Sequence, residues 1–334
     1  MDNLLREQFW KQLGEISLTE FPALVQWAAQ NSPKQFYRYR KVSGYSLDDL
    51  KNNHLGFSRA KHFDDPFDAF IRIDYQKFIE KMKEFDDIKV EPRKRLSEIL
   101  NVDESLLQIF QKTSRLTEAY QTDSFKSFIE NKYKQSIRDN MCMACFTETF
   151  VNENMWLKYA DSHKGFCLEY DFVDPKSYIC DGCKRKTGCT VYGKTMIAYP
   201  VFYSETPFDT TDIFTNRVME SSSCVLEAIG EKEAAARFGK NVTKDSVFSL
   251  YRMSLIKDIC HEHDEEWRLI YPSKTDSDFP YVCVKPKSIT LGLRMEKKDE
   301  TDVIEAGKAA GVKQFYKMVI GEDNRLTRIL LMKK

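Results

Sequence analysis

What most constrains this chain is the alternation of two kinds of segment. Short, mostly aromatic-rich stretches ("FYRYR", "LGFSRA", "MCMACFTE", "FCLEYDF", "MIAYPVFYS", "SITLGLRM" and "TRILLMKK") read as strands. Between them lie charged stretches whose apolar residues recur at helical spacing. Phe78, Ile79, Met82 and Phe85 mark a helical insertion over residues 76–140, broken at Pro92. Phe248, Tyr251, Leu255 and Ile259 form the last stripe of a second helical segment over 211–260. Residues 1–30 predict N-terminal helices, with Leu5, Phe9, Trp10 and Leu13 on one face and Pro22 as punctuation. "SLDDLKNNHL" predicts a short helix with Ser46 as its N-cap, and "DVIEAGKAAG" a late one. The class this predicts is α+β: a mixed β-sheet core with a helical insertion and peripheral helices, in a single elaborated domain spanning 1–334.

A chain of 334 residues, 42% apolar, can bury a large core. Its 51 basic and 51 acidic residues cancel, which removes any global pull toward nucleic acid or an anionic membrane. An anionic ligand must therefore be gripped locally. No apolar run approaches the roughly 18 residues of a membrane span, so a cytoplasmic protein with no membrane contact is expected. Nine cysteines, an odd number without a signal peptide, predict reduced thiols.

Several motifs carry chemistry. In "FSRAKHFDDPFDAF", residues 57–70, a strand runs into an acidic turn around Pro66, with Phe63, Phe67 and Phe70 as candidate anchors. Asp64, Asp65 and Asp68 either cap backbone N–H groups there or present carboxylates at a cleft, with Asp65 the one placed to reach it. In "DEEWRLI", alternation puts Asp264, Glu266 and Arg268 on one strand face, as a salt bridge or as the lining of a pocket. In "YRYR", Tyr37 and Tyr39 share one face and Arg38 and Arg40 the other; an arginine at this strand end suits a pyrophosphate. "MWLKYADSHKG" sets Trp156, Tyr159 and His163 at helical spacings, either as a structural aromatic face or as one suited to a nucleobase or nicotinamide ring. Cys142 and Cys145 point to opposite faces of a strand and read as core. Cys180, Cys183 and Cys189, in the loop "CDGCKRKTGC", have the spacing of a structural zinc knuckle, with Cys224, Cys260, His261 and His263 as candidates for a fourth ligand.

Four blocks, "FYRYR", "LGFSRAKHFDDPFD", "CFTE…MWLKYADSHKGFCLEYD" and "DEEWRLIYP", together resemble the DUF2971 family of bacterial proteins over residues 36–295. Family members tend to carry Asn where this chain has Asp64, and Glu where it has Asp68 and Asp264. The family name asserts no activity.

The order of residues is also similar to that in ADP-ribosyltransferase-like enzymes: Arg38 or Arg40 on a first strand, Ser58 on a second, Glu266 on a later one. That resemblance implies an ADP-ribosyltransferase-like fold and glycosyl transfer from NAD, with a protein or nucleic-acid acceptor oriented by Asp264. A carboxylate near the ribose would stabilise the oxocarbenium-like charge that develops as nicotinamide leaves. Two other classes stand beside it. One is a non-catalytic module of phage defence that recognises a nucleotide or a protein; the other is a metal-dependent nuclease on Asp64, Asp65 and Asp68.

Overall fold

The computed structural model describes residues 1–63, 65, 68, 70–88, 116–172, 197–228, 230–242, 248–271 and 277–333. Helices and several small sheets share the chain, in keeping with an α+β class. A five-stranded sheet runs in the order Phe36–Arg40, Phe166–Tyr170, Ser288–Leu291, Gln314–Ile320, Leu326–Lys333. A four-stranded sheet runs Ser58–Arg59, Cys142–Phe146, Trp267–Ile270, Ala198–Pro200. A bridge between Tyr37 and Thr147 ties the first strand of the larger sheet to the end of the second strand of the smaller.

The two sheets bury their facing sides against each other. Phe36 meets Trp267 at 5.5 Å and Phe146 at 6.3 Å between ring centroids, and Phe146 meets Tyr170 at 5.8 Å, all edge to face. Leu50 and Val303, from helices Gly44–Lys51 and Lys297–Ala309, complete this core. Ser43, not Ser46, caps the first of these helices: the two serines form a reciprocal capping box, with Ser46 inside the first turn. Glycine is obligatory at 165, where a Cβ would stand 2.2 Å from the Arg40 carbonyl oxygen.

The helical stretches, far apart in sequence, share a second core. Phe78, Phe85, Tyr120 and Phe125 pack with Phe214 and Phe238, and Phe85 stacks on Phe238 at 3.9 Å. Helices Asn3–Glu15 and Phe21–Asn31 cover a third cluster with Tyr199, Val201 and Leu255. The 211–260 stretch departs from expectation at its end. After helix Ser249–Ser254 the chain forms a strand, Ile256–Asp258, parallel to Phe202–Ser204, and then a 3₁₀ turn, Ile259–Asp264. Partners beyond the local window set this: a short apolar run reads alike as helix or strand until the neighbouring strand is known.

Among the described residues, no helix is long and apolar enough to cross a membrane.

Candidate functional site

Both sheets contribute to one cavity of about 270 Å³. The larger sheet supplies Arg38, Tyr39 and Arg40, and the smaller supplies Ser58, Met143 and Cys145. The acidic turn adds Asp65 and Asp68, and the 256–266 stretch adds Lys257, Asp264 and Glu266. Tyr159 and Met155 close one side.

The floor is a chain of alternating charge. Arg268, fully buried, holds Asp68 through two parallel bonds, Nη1–Oδ1 at 2.8 Å and Nη2–Oδ2 at 2.9 Å. Its Nε donates to Glu266 Oε1 at 2.6 Å, and a further N–H reaches the Ser254 carbonyl at 2.7 Å. The other oxygen of Glu266 accepts from Lys257 Nζ at 3.1 Å, and the same ammonium bonds Asp264 at 3.2 Å. His261 then stands between Asp264 (3.5 Å) and Asp65 (3.3 Å). The chain therefore begins and ends on one turn, at Asp68 and Asp65.

Burial alone would raise the Glu266 carboxyl, but Arg268 and Lys257 overcome it and hold it well below the carboxylate range. Burial alone would likewise depress Lys257, yet Glu266 and its neighbours push the ammonium above the usual lysine value. Both ions persist throughout the neutral range. The Glu266 backbone is pinned as well: its N–H donates to the Tyr203 hydroxyl at 2.6 Å, and its carbonyl accepts from Arg6 Nη1 at 2.7 Å. Cys145, beside Glu266, is driven well above an ordinary thiol by burial and then by that charge, so it is not a thiolate nucleophile.

Across the cavity the balance is different. Arg40 pairs with Asp49 at 3.1 Å, but Arg38 makes no ion pair among the described residues. It donates to the Gly56 carbonyl at 2.7 Å and lies over the Phe146 ring. Burial and the adjacent Arg40 pull it down to about 10. A half-buried guanidinium short of negative charge is a ready anion site.

The turn is held from behind. Arg138, from helix Lys134–Asn140, donates to the carbonyls of Ala60, Asp65 and Asp68. Phe63 and Phe70 pack against the adjoining clusters, whereas Asp64, Pro66 and Phe67 lie outside the described residues.

Of the residues singled out in the sequence, Arg38, Tyr39, Arg40, Ser58, Asp65, Tyr159, Asp264 and Glu266 line this cavity. Arg268 lies beneath it. Asp264 and Glu266 both precede the strand Trp267–Ile270 that carries Arg268, so the three do not alternate along one strand face. Asp264 ends the 3₁₀ turn, and a left-handed Glu265 (φ 47°) brings its side chain back beside Glu266.

Trp156, Tyr159 and His163 do not share a helical face, because the helix ends at Lys158 and residues 161–163 all have positive φ. Trp156 is wholly buried, donates to the Phe150 carbonyl at 2.8 Å, and stacks on His163. Burial and then Arg294 lower His163, so Trp156 and His163 serve packing and only Tyr159 reaches the cavity. Cys142 joins the main core while Cys145 lines the cavity. Cys180, Cys183 and Cys189 lie outside the described residues. Among the described residues, no group of three or more His, Cys, Asp or Glu is arranged to hold a metal ion.

Lys257 is the main residue that periodicity hid. A single lysine inside "SLIKDI" looks like the polar face of a helix, and the one signal against this is the apolar residue on either side of "KD". No family model, curated protein or solved structure matches this chain.

Proposed function

We propose that this cavity binds a nucleotide-type ligand and that the chain is an ADP-ribosyltransferase-like enzyme that breaks the nicotinamide–ribose bond of NAD. The carrying observation is that Arg38, Ser58 and Glu266, far apart in sequence, face one another around a single cavity, with Arg38 lacking an anionic partner among the described residues. Arg38 takes the pyrophosphate and Arg40 extends the cationic wall. The Ser58 hydroxyl, bonded only to the Arg59 carbonyl at 3.2 Å among the described residues, is available to a ribose hydroxyl. Glu266 stays ionised and rigid, which suits electrostatic stabilisation of an oxocarbenium-like charge and rules it out as a proton acceptor near neutral pH. Water, or a hydroxyl or carboxylate of a protein or nucleic-acid acceptor, completes the transfer next to Asp264.

Small-molecule sites commonly run from about 300 to 1,000 Å³. A cavity of about 270 Å³ holds the nucleoside at the reacting end with the pyrophosphate at Arg38, and leaves the adenosine of a dinucleotide outside it. The order of Arg38 or Arg40, Ser58 and Glu266 along the chain, similar to that in ADP-ribosyltransferase-like enzymes, supports the same reading. A structural zinc on Cys180, Cys183 and Cys189 belongs to it on spacing alone, and metal analysis of the purified protein tests that part.

One observation favours a second reading. Both Glu266 oxygens are already compensated, by Arg268 and Lys257, as in a site built to recognise a nucleotide rather than transform it. That reading is a non-catalytic module of a phage-defence system. Titrating NAD, ADP-ribose and nicotinamide by calorimetry tests the shared claim. NAD and ADP-ribose should bind with similar affinity and lose it together in Arg38→Gln; binding of nicotinamide alone would contradict the assignment of Arg38.

A further inference from the structure

Beside the cavity stand aromatic side chains that the hydrophobic clusters leave out. Tyr45, Phe279 and Tyr281 are 60, 51 and 52 % exposed. Scattered single aromatics on a surface need no explanation, but these three gather around one glycine. Strand Tyr281–Cys283 pairs antiparallel with His54–Gly56, which sets Tyr281 directly opposite Gly56. The Pro280 carbonyl accepts from the Phe57 N–H at 2.7 Å, so Phe279 stands one step further along the same edge. Helix Gly44–Lys51 brings in Tyr45 from the other side: a Cβ on Gly56 would meet the Tyr45 hydroxyl at 3.8 Å.

Both rings on the strand are backed by histidines. Tyr281 stacks on His54 at 3.8 Å between centroids, and Phe279 leans on His62 at 4.8 Å. His62 is held in turn by Asp278 at 3.1 Å. Each ring is thereby fixed on one side, and its exposed remainder is a flat apolar surface for a further ring. This rim adjoins the anion site. The Gly56 carbonyl accepts from Arg38 at 2.7 Å, the Arg40 guanidinium lies 5.9 Å from the Tyr45 ring centroid, and Arg38, Arg40 and His62 all line the cavity. The hydroxyls of Tyr45 and Tyr281 make no hydrogen bond among the described residues.

We propose that this rim binds a purine base, so that the site is built for a dinucleotide and not for a mononucleotide. The inference rests on the reading of Arg38 as the pyrophosphate site. The two nucleosides of a dinucleotide diverge from that group, one into the cavity and the other onto the rings beside Gly56. Stacking supplies the affinity, and the Tyr45 hydroxyl is free to meet the ribose or the edge of the base.

Calorimetric titration of the full chain with NAD and with nicotinamide mononucleotide, which lacks the adenosine, tests it. NAD should bind more tightly than the mononucleotide by about tenfold or more. Tyr281→Ala and Phe279→Ala should each weaken NAD by about fivefold or more, the scale of one lost base stack, and leave the mononucleotide unchanged. Tyr281→Phe, which keeps the ring, should bind NAD as the wild type does. Tyr45→Ala, on the opposite side of Gly56, serves as a further variant should either alanine variant of the strand fail to fold. Equal affinity for the two nucleotides, or NAD affinity undiminished in the folded alanine variants, overturns the rim and leaves the cavity reading standing. Binding of neither nucleotide overturns that reading and the rim with it.

Discussion

Arg268 and Asp68, 200 positions apart in sequence, meet through two parallel bonds in a site with almost no solvent. This pair fastens the acidic turn to the four-stranded sheet and so fixes one wall of the cavity. Removing one partner strands the other, since a buried ion without its counter-charge costs about 3–5 kcal/mol. Arg268→Met should lower stability by that amount in urea unfolding. A loss below about 1 kcal/mol would show the turn to be held by other means.

Acid should unfold the protein through Glu266. Its carboxyl lies far below the unfolded value of 4.5, so its contribution is complete above that value and fades as pH falls toward the folded one. Lys257 acts in the opposite direction: with its folded value raised, its contribution is complete below the unfolded value of 10.5 and fades as pH rises above it. Unfolding free energy followed from pH 7 down to 2 should therefore drop less steeply in Glu266→Gln than in the wild type. Equal slopes would mean that the carboxylate is not held by its neighbours.

Arg38 separates binding from folding. Its guanidinium is half-buried without an ion-pair partner among the described residues, so Arg38→Gln should leave the melting temperature unchanged or raise it. NAD affinity should fall by roughly tenfold or more, the scale of one charge-assisted contact. A large loss of stability with affinity intact would assign the residue to the core.

Arg138 offers the converse case. Its three bonds to the carbonyls of Ala60, Asp65 and Asp68 predict that Arg138→Ala loosens the turn, at a cost of about 1.5–3 kcal/mol. Hydrogen exchange at residues 60–70 should quicken more than exchange in the Phe166–Tyr170 strand. Uniform change across both would mean that the clamp is not local.

Local pattern made much of this architecture legible, and long-range pairing decided the rest. Alternation in "FYRYR" separates the tyrosines, which pack near Trp156 and Met318, from the arginines across the strand. Period alone could not show that residues 256–258 pair with Phe202–Ser204, because the stripe from Phe248 to Ile259 fits a helix equally well. Lys257 was hidden for that reason. Asp68 read as a turn acid because its partner is 200 positions away. His163 read as one face with Trp156 because three consecutive left-handed residues leave no mark in hydrophobic spacing.

The central claim, Glu266-dependent cleavage of NAD in this cavity, is tested most directly by measuring nicotinamide release from NAD by the wild type and by Glu266→Gln, with melting curves showing both to be folded. Release by the wild type, lost in the variant while NAD still binds, is the expected result. Absence of nicotinamide release by the folded wild type, or release undiminished in Glu266→Gln, would contradict the claim.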